Sequence, residues 1–401
     1  MSKLPGNAGV PLLGDKSLDF YRDPVLFCRE KMEKHGSRVF QSRLLNRPTA
    51  FVCSAWAMKE LLCEKSNVFL KDPTDVMTNM YGDTIVTTNG KKKNNCMHGA
   101  THLASSNSAY KIGGPRCVYT AFKQLGTELV LGLFLNVHAD KEPELFQKIA
   151  QLCTQHWHGL ISAPVNVKVP LWSSGFSVAS EARDQLMQII KEKLENEAQG
   201  FVGSLRSLPL PGSSCASQHL LLFISALIPK ALASLLTSFT VALSGNNVLL
   251  QSLTDADYLQ GVLLEVQRLW PPFIGGRRIA ERDTSLAGFH VPKGYGAIYI
   301  SHAVHRDPRV FEQPDSFVPE RWSARNAEHK HFLCTFGSGS RNCIGMKLTD
   351  FFLKEACVYL LKHYDWCLDP PSQNLDYKWL PVSRPANPPT VSFTRFGSGQ
   401  N

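Results

Sequence analysis

The stretch Phe336-Gly337-Ser338-Gly339-Ser340-Arg341-Asn342-Cys343-Ile344-Gly345 stands directly before apolar residues at helical spacing, and its reading decides the fold. A lone cysteine framed by glycines at the mouth of a helix has a specific chemistry open to it. The helix N-terminus and the backbone amides around it stabilise negative charge, so Cys343 can act as an anionic ligand. Gly339 permits a bulge or a positive φ, and Gly345 lets the backbone approach a flat ligand closely. Phe336 would shield the sulfur from water, while Arg341 offers a guanidinium to a ligand carboxylate. A flat macrocycle bearing carboxylates suits all four. The plainer alternative is a structural thiol.

Upstream lie Glu265-Val266-Gln267-Arg268, Pro271-Pro272, Gly275-Gly276-Arg277-Arg278, His305-Arg306-Asp307-Pro308 and Pro319-Glu320-Arg321-Trp322. Glu265 and Arg268 are three apart and share one helix face. Alone, such a pair is most often a surface ion pair. In this order, ahead of the Cys343 loop, the set resembles the haem-thiolate monooxygenases, the cytochromes P450, whose ligand loop reads Phe-x-x-Gly-x-[Arg/His]-x-Cys-x-Gly. Every fixed position of that pattern is present. The resemblance implies haem as cofactor with Cys343 as axial ligand of its iron, and thiolate ligation that favours O–O cleavage. It also implies a buried structural triad of Glu265, Arg268 and Arg321, with Arg278 as a propionate partner. Within the superfamily the nearest likeness is to the retinoic-acid hydroxylases and their bacterial relatives. It is carried by Leu4-Pro5-Gly6 through Gly14, by Arg47-Pro48-Thr49, and by the tail from Cys343 through Asp365-Trp366.

The implied function is oxygen insertion into a lipophilic substrate such as a retinoid or sterol, with electrons from a separate reductase or ferredoxin. No flavin or nicotinamide fingerprint is present. By the same likeness the donor docks near the Cys343 loop, on a surface including Lys347 and Arg341.

Composition narrows the field independently. The 401 residues are 43% hydrophobic with a formal net charge of +9, which excludes a disordered chain. The only basic run, Lys91-Lys92-Lys93, is too short to argue a nucleic-acid partner. Eleven cysteines, an odd count with no CxxC pair, fit a reducing compartment. Met-Ser-Lys-Leu-Pro-Gly starts the chain without an apolar signal region, so a cytoplasmic or peripherally membrane-associated protein is expected. Cys96, His98 and His102, or Cys153, His156 and His158, make no complete zinc set, and Gly9 to Ser17 lacks the glycine-lysine step of a phosphate loop.

The pattern predicts a mainly α fold with small β-sheets, one haem-enclosing domain over residues 1–401, some elements shortened or missing. Asp23-Pro24 opens a helix that Gly36 closes. A hairpin turns about Asn46-Arg47-Pro48. Apolar spacing predicts helices over 55–63, 119–134, 142–161, 179–196, 256–269 and 345–363, and strands near 278–280, 286–291 and 296–300.

Three segments depart from the family. The long apolar helix expected over 219–243, on the distal side of the haem, should carry an acid or amide followed by threonine. The comparable residues are Ser225, Ala226, Leu227, Ile228, Pro229 and Lys230, and no Asp or Glu lies between Gln218 and Gly245. Pro229 should kink this helix. Residues 90–116 read as an atypical loop with no Trp and one arginine, Arg116, where the family has a propionate-binding helix; His98 or His102 would be the substitutes. Only 35 residues separate Pro229 from Glu265, too few for the usual connection. The departures motivate two rivals: a haem-dependent isomerase or dehydratase acting on hydroperoxides, and a non-catalytic degenerate haem protein.

Overall fold

The computed structural model describes residues 2–72, 75–81, 84, 116–162, 175–205, 213–226, 228–245 and 256–396. The chain's contacts group it into two compact units. One comprises residues 1–72, 112–119 and 234–401, the other residues 73–111 and 120–233.

The first unit is built on a five-stranded sheet whose order is Val39–Leu44, Arg47–Val52, Gly296–Ile300, Gly275–Ala280, Phe69–Lys71. The hairpin turns one residue earlier than the sequence suggests. Leu45 and Asn46 take φ of 49° and 57°, the two-residue turn whose twist matches paired strands. Pro48 lies inside the second strand, opposite Arg43, and pairing to the next strand begins only at Thr49. A residue without an N–H is tolerated at that strand start. Likewise the strand expected over 286–291 is two, Thr284–Leu286 and Phe289–Val291, because Ala287 and Gly288 take φ of 51° and 81° and reverse the chain.

The helix Pro24–His35 closes one face of this sheet. Asp23 caps it by accepting from the Val25 and Leu26 amides at 3.0 and 2.9 Å, and Gly36 ends it in the left-handed region. Phe20 and Phe27 pack edge-on or tilted against Phe51, which stacks on Phe40 at 5.1 Å. A smaller sheet pairs Tyr364–Leu368 with Thr390–Arg395 and the latter with Arg116–Cys117. Apart from Arg116, the loop expected over 90–116 lies outside the described residues, with His98 and His102.

The second unit is helical. Pro143–Ser162 packs on Gly175–Asn196, burying Ile149, Leu152, Cys153, His156 and Trp157 at three- to four-residue spacing. A Cβ at Gly159 would run into the Gly175 carbonyl and Ala179, so only glycine fits there.

Where one helix over 219–243 is expected, there are two, Ser213–Ser225 and Ile228–Leu243. Pro229 has no N–H to offer the Ser225 carbonyl, yet sits comfortably in a first turn. The stretch 216–243 is long and apolar enough to cross a membrane, but 88% of its most apolar window is buried inside the protein, which fits a core element.

Candidate functional site

The loop before the helix Met346–His363 is folded back on itself. The Cys343 amide donates to the Phe336 carbonyl at 2.7 Å and the Gly337 amide to the Cys334 carbonyl at 2.9 Å. Gly337 and Gly339 take φ of 73° and 71°, which L side chains rarely adopt. A Cβ at Gly339 would also strike the Leu62 carbonyl. That carbonyl belongs to a π-helical turn, Glu60–Glu64, whose Cys63 sulfur lies 3.2 Å from the Ser338 hydroxyl. The turn buttresses the loop from outside, a role the apolar spacing of 55–63 did not reveal.

Cys343 is accessible to solvent, yet enough protein crowds it that desolvation pushes its thiol up. The Gly345 and Met346 amides and the Lys71 ammonium act in the opposite direction. In the bare protein burial outweighs these groups and raises the thiol's pKa above its ordinary value. A cation at the sulfur would reverse the balance.

Lys71 stands close to this sulfur, and Arg278 and Arg341 stand close to Lys71. Arg278, buried on the strand Gly275–Ala280, packs over the Tyr299 ring at 6.0 Å and donates to the Arg277 carbonyl at 2.8 Å. Its cross-strand partner in register is Lys71. Burial lowers the Lys71 pKa, and the charges of Arg278 and Arg341 lower it further. Burial and Arg341 also lower that of Arg278. Like charges directly opposite on neighbouring strands are unfavourable. An anion among the three would offset that cost, and the accessible sulfur beside them would meet a metal. The residues present therefore fit a metal macrocycle with carboxylates. Lys71 was missed in the sequence because nothing local marks it; only strand register brings it to Arg278.

Glu265, Arg268 and Arg321 meet in the interior. The Glu265 carboxylate accepts from Arg268 at 2.7 and 2.8 Å, Arg321 at 3.1 Å, the Trp322 indole at 2.9 Å and the Val318 amide at 2.9 Å. Burial alone would push its pKa up, but the hydrogen bonds and charge of Arg268, the Val318 amide and Arg321 hold it below the usual range. Arg268 in turn donates to the carbonyls of His305, Pro314 and Ser316. His305 then bridges toward the ligand loop. Its Nδ1 donates to the Arg268 carbonyl at 3.1 Å and its Nε2 accepts from the Cys334 amide at 2.8 Å, a tautomer fixed by those partners. Thr335 donates to the Gln267 carbonyl at 3.1 Å. The triad is thus tied through His305 and Cys334 to the first residues of the Cys343 loop.

Ser225, Ala226, Ile228 and Pro229 belong to the helical unit, and Leu227 lies outside the described residues. Ser225 is fully buried, donating to the Leu221 carbonyl at 2.7 Å, with the Tyr81 hydroxyl at 3.2 Å. No carboxylate among the described residues pairs with this stretch.

The cytochrome P450 family profile matches residues 213–393. A Synechocystis sp. protein named cytochrome P450 120 is 25% identical over 95% of this chain and 94% of its own length. Cytochrome P450 26A1 of Danio rerio is 24% identical over 98% of this chain and 90% of its own. Among solved structures, "Retinoic acid bound cyanobacterial CYP120A1" superposes with a TM-score of 0.81 at 24% identity, covering 98% of this chain and all of the other. That superposition establishes the mainly α fold with small sheets, and the likenesses in sequence extend well beyond the matched segment. Residues 213–393 thus match the cytochrome P450 family, the chain as a whole shares that fold, and haem is the cofactor that goes with both.

Proposed function

We propose that this protein is a haem-thiolate monooxygenase in which Cys343 is the axial ligand and a retinoid- or sterol-like molecule is hydroxylated. The observation that supports it best is the Cys343 sulfur: accessible, faced by the Gly345 and Met346 amides, and set beside Lys71, with Arg278 and Arg341 close to that lysine. When bound, haem supplies the activation of dioxygen, which thiolate ligation favours. The chain's own groups do the holding. Arg278, Arg341 and Lys71 take the macrocycle's carboxylates, the two amides stabilise the thiolate, and Phe336 keeps water from it. Glu265, Arg268 and Arg321 act structurally, fixing the platform from which the loop springs. The superfamily's chemistry is monooxygenation in general; the retinoid preference leans on the retinoic acid named with the cyanobacterial relative.

Electrons come from a reductase or ferredoxin docking over the Cys343 loop, where Lys347 is exposed. Peripheral contact with lipid is supported by Val10, Leu12, Leu13, Leu18 and Tyr21, all more than half exposed within one short stretch. The test of the ligand assignment is the carbon monoxide difference spectrum of the ferrous protein. A thiolate-type band that Cys343→Ser abolishes is expected. Haem uptake with no such band would remove Cys343, and no haem at all would leave a non-catalytic protein.

A second reading is favoured by the helix interruption at Ser225–Ile228 and the lack of any Asp or Glu between Gln218 and Gly245. A hydroperoxide already contains its oxygen, so an isomerase or dehydratase needs no acid to protonate dioxygen. Rapid peroxide turnover without reductase supports it; none across lipid hydroperoxides eliminates it.

A further inference from the structure

Lys230 is a buried cation, 7% exposed, beside the break between the helices Ser213–Ser225 and Ile228–Leu243. Among the described residues it pairs with no carboxylate. Its Nζ instead donates to the carbonyls of Ser225 and Ala226 at 3.1 and 3.2 Å and stands 4.7 Å from the centre of the Trp157 ring. Burying an ammonium against two carbonyl dipoles and one π face is costly, and such a cost needs a structural return.

The return lies one residue away. In a continuous helix the amide of residue 229 would donate to the carbonyl of residue 225. Pro229 has no amide, so the Ser225 carbonyl loses its donor inside the protein, where an unmet carbonyl costs as much as a lost hydrogen bond. The break is also held from outside. A Cβ at Gly126 would come within 2.8 Å of the Pro229 Cα, so the helix Val118–Leu135 crosses in direct backbone contact, and the Ser225 and Ala226 residues are themselves buried. Ser225 is fixed further by its own bond to Leu221 and by Tyr81.

We infer that Lys230 is a positioning residue whose ammonium replaces the backbone donor removed by Pro229 and holds the interrupted helix in one conformation. This rests on the helix geometry and is independent of the haem reading. Among the described residues the groups facing Lys230 include Cys153, His156 and Trp157 on Pro143–Ser162, Lys123 on Val118–Leu135, and the Ser225 and Ala226 carbonyls. Burial lowers its pKa to about 8, and burial pushes the Cys153 thiol up to about 12, so the cysteine supplies no counter-charge at neutral pH.

The test is a double-mutant cycle on the full-length protein, read by amide hydrogen exchange of the segments around 222–234. Lys230→Met should speed exchange there by roughly tenfold to a hundredfold, the effect of leaving a buried acceptor unmet. Lys230→Arg should retain most of the protection. In the Pro229→Ala background, where the amide is restored, the same Lys230→Met change should have an effect at least about tenfold smaller. Equal effects in the two backgrounds overturn the proposal. If Lys230→Met does not fold, Pro229→Ala alone decides. Reductive methylation of Lys230 should quicken once its carbonyl partner has another donor, and an unchanged rate rejects the idea.

Discussion

The Glu265 carboxylate and the Arg268 guanidinium, both fully buried, meet at 2.7 Å, and neither has the other as its sole partner. A buried ion pair is worth keeping only when its remaining lone pairs and protons are satisfied, and here backbone groups and Arg321 do that. Removing one partner strands the other. Glu265→Gln or Arg268→Met should each destabilise the protein by roughly 3–5 kcal/mol in denaturant titrations, while the double change should cost much less than the sum. Because the Glu265 pKa is depressed in the folded state, its contribution is present above its ordinary value of 4.5 and is lost as pH falls through the folded value. Wild type should therefore show a steeper acid limb than Glu265→Gln; parallel limbs would count against the pairing.

His305 adds a second pH dependence of its own. Burial lowers its pKa to about 3, and its Nε2 is committed as an acceptor for the Cys334 amide. Between pH 6.5 and about 3 the unfolded chain binds a proton that the folded one refuses, so stability falls with pH across that window. His305→Asn should lower stability at pH 7 and flatten the slope between pH 4 and 6 by up to about 1.4 kcal/mol per pH unit. Equilibrium unfolding at several pH values measures it directly. An unaltered slope would mean His305 is already protonated in the fold.

Much of the fold was legible because its signals are local. Helical spacing placed Ala256–Leu269 and Met346–His363 within a residue or so, and Asp23 and Gly36 bounded their helix by simple capping chemistry. Leu45 carried no turn signal, since a leucine at positive φ is paid for by the strand register around it, and the hairpin was set one residue late. At the site, the Cys343 loop and the Glu265–Arg268 pair announced themselves by spacing. Lys71 did not, because its meaning comes from standing opposite Arg278 across two strands distant in sequence. His305 was noticed only as part of a familiar motif; its bridge from Arg268 to Cys334 is a tertiary fact.

The exposed leucines near the N-terminus lead to a binding experiment. Leu12 and Leu13 are 77% and 90% exposed at the tip of a turn whose backbone is pinned by the Asn46 side chain, which accepts from the Leu12 amide, and by two donations from Arg43, to the Ala8 and Gly9 carbonyls. A rigid turn that displays two leucines is suited to a deformable apolar phase. The folded protein should co-sediment with phosphatidylcholine vesicles, and replacing Leu12 and Leu13 by serine should weaken that partition about tenfold or more while leaving the unfolding midpoint nearly unchanged. Equal partition of both proteins would place the contact elsewhere or deny it.

Gly339 offers a test of the loop itself. Its φ of 71° and the Leu62 carbonyl in the path of a Cβ make alanine doubly unfavourable. Gly339→Ala should cost on the order of 2 kcal/mol or more and should shift or broaden the Soret band, because the strain falls four residues before Cys343. Gly337→Ala has the same backbone strain, but its Cβ would meet only atoms at 3.7 Å, so the milder variant separates strain from collision. Equal penalties for the two would mean that the π-helical turn does not brace the loop.

Lys71 yields a prediction in which stability and ligand binding move in opposite directions. In the bare protein its ammonium stands opposite the Arg278 guanidinium and within reach of Arg341, and these like charges depress its proton affinity after burial has done so. Replacing it with methionine keeps the stem's packing and removes the repulsion. The haem-free protein should gain a few tenths to about 1 kcal/mol of stability, most clearly at low salt, since like charges directly opposite across strands cost about that much. The same variant should release haem faster to an apomyoglobin acceptor, because one of three cations facing the carboxylates is gone. A lysine kept for local structure would give the reverse first result, a less stable bare protein. Measuring haem-free unfolding and haem transfer on one pair of proteins separates the two roles without any turnover assay.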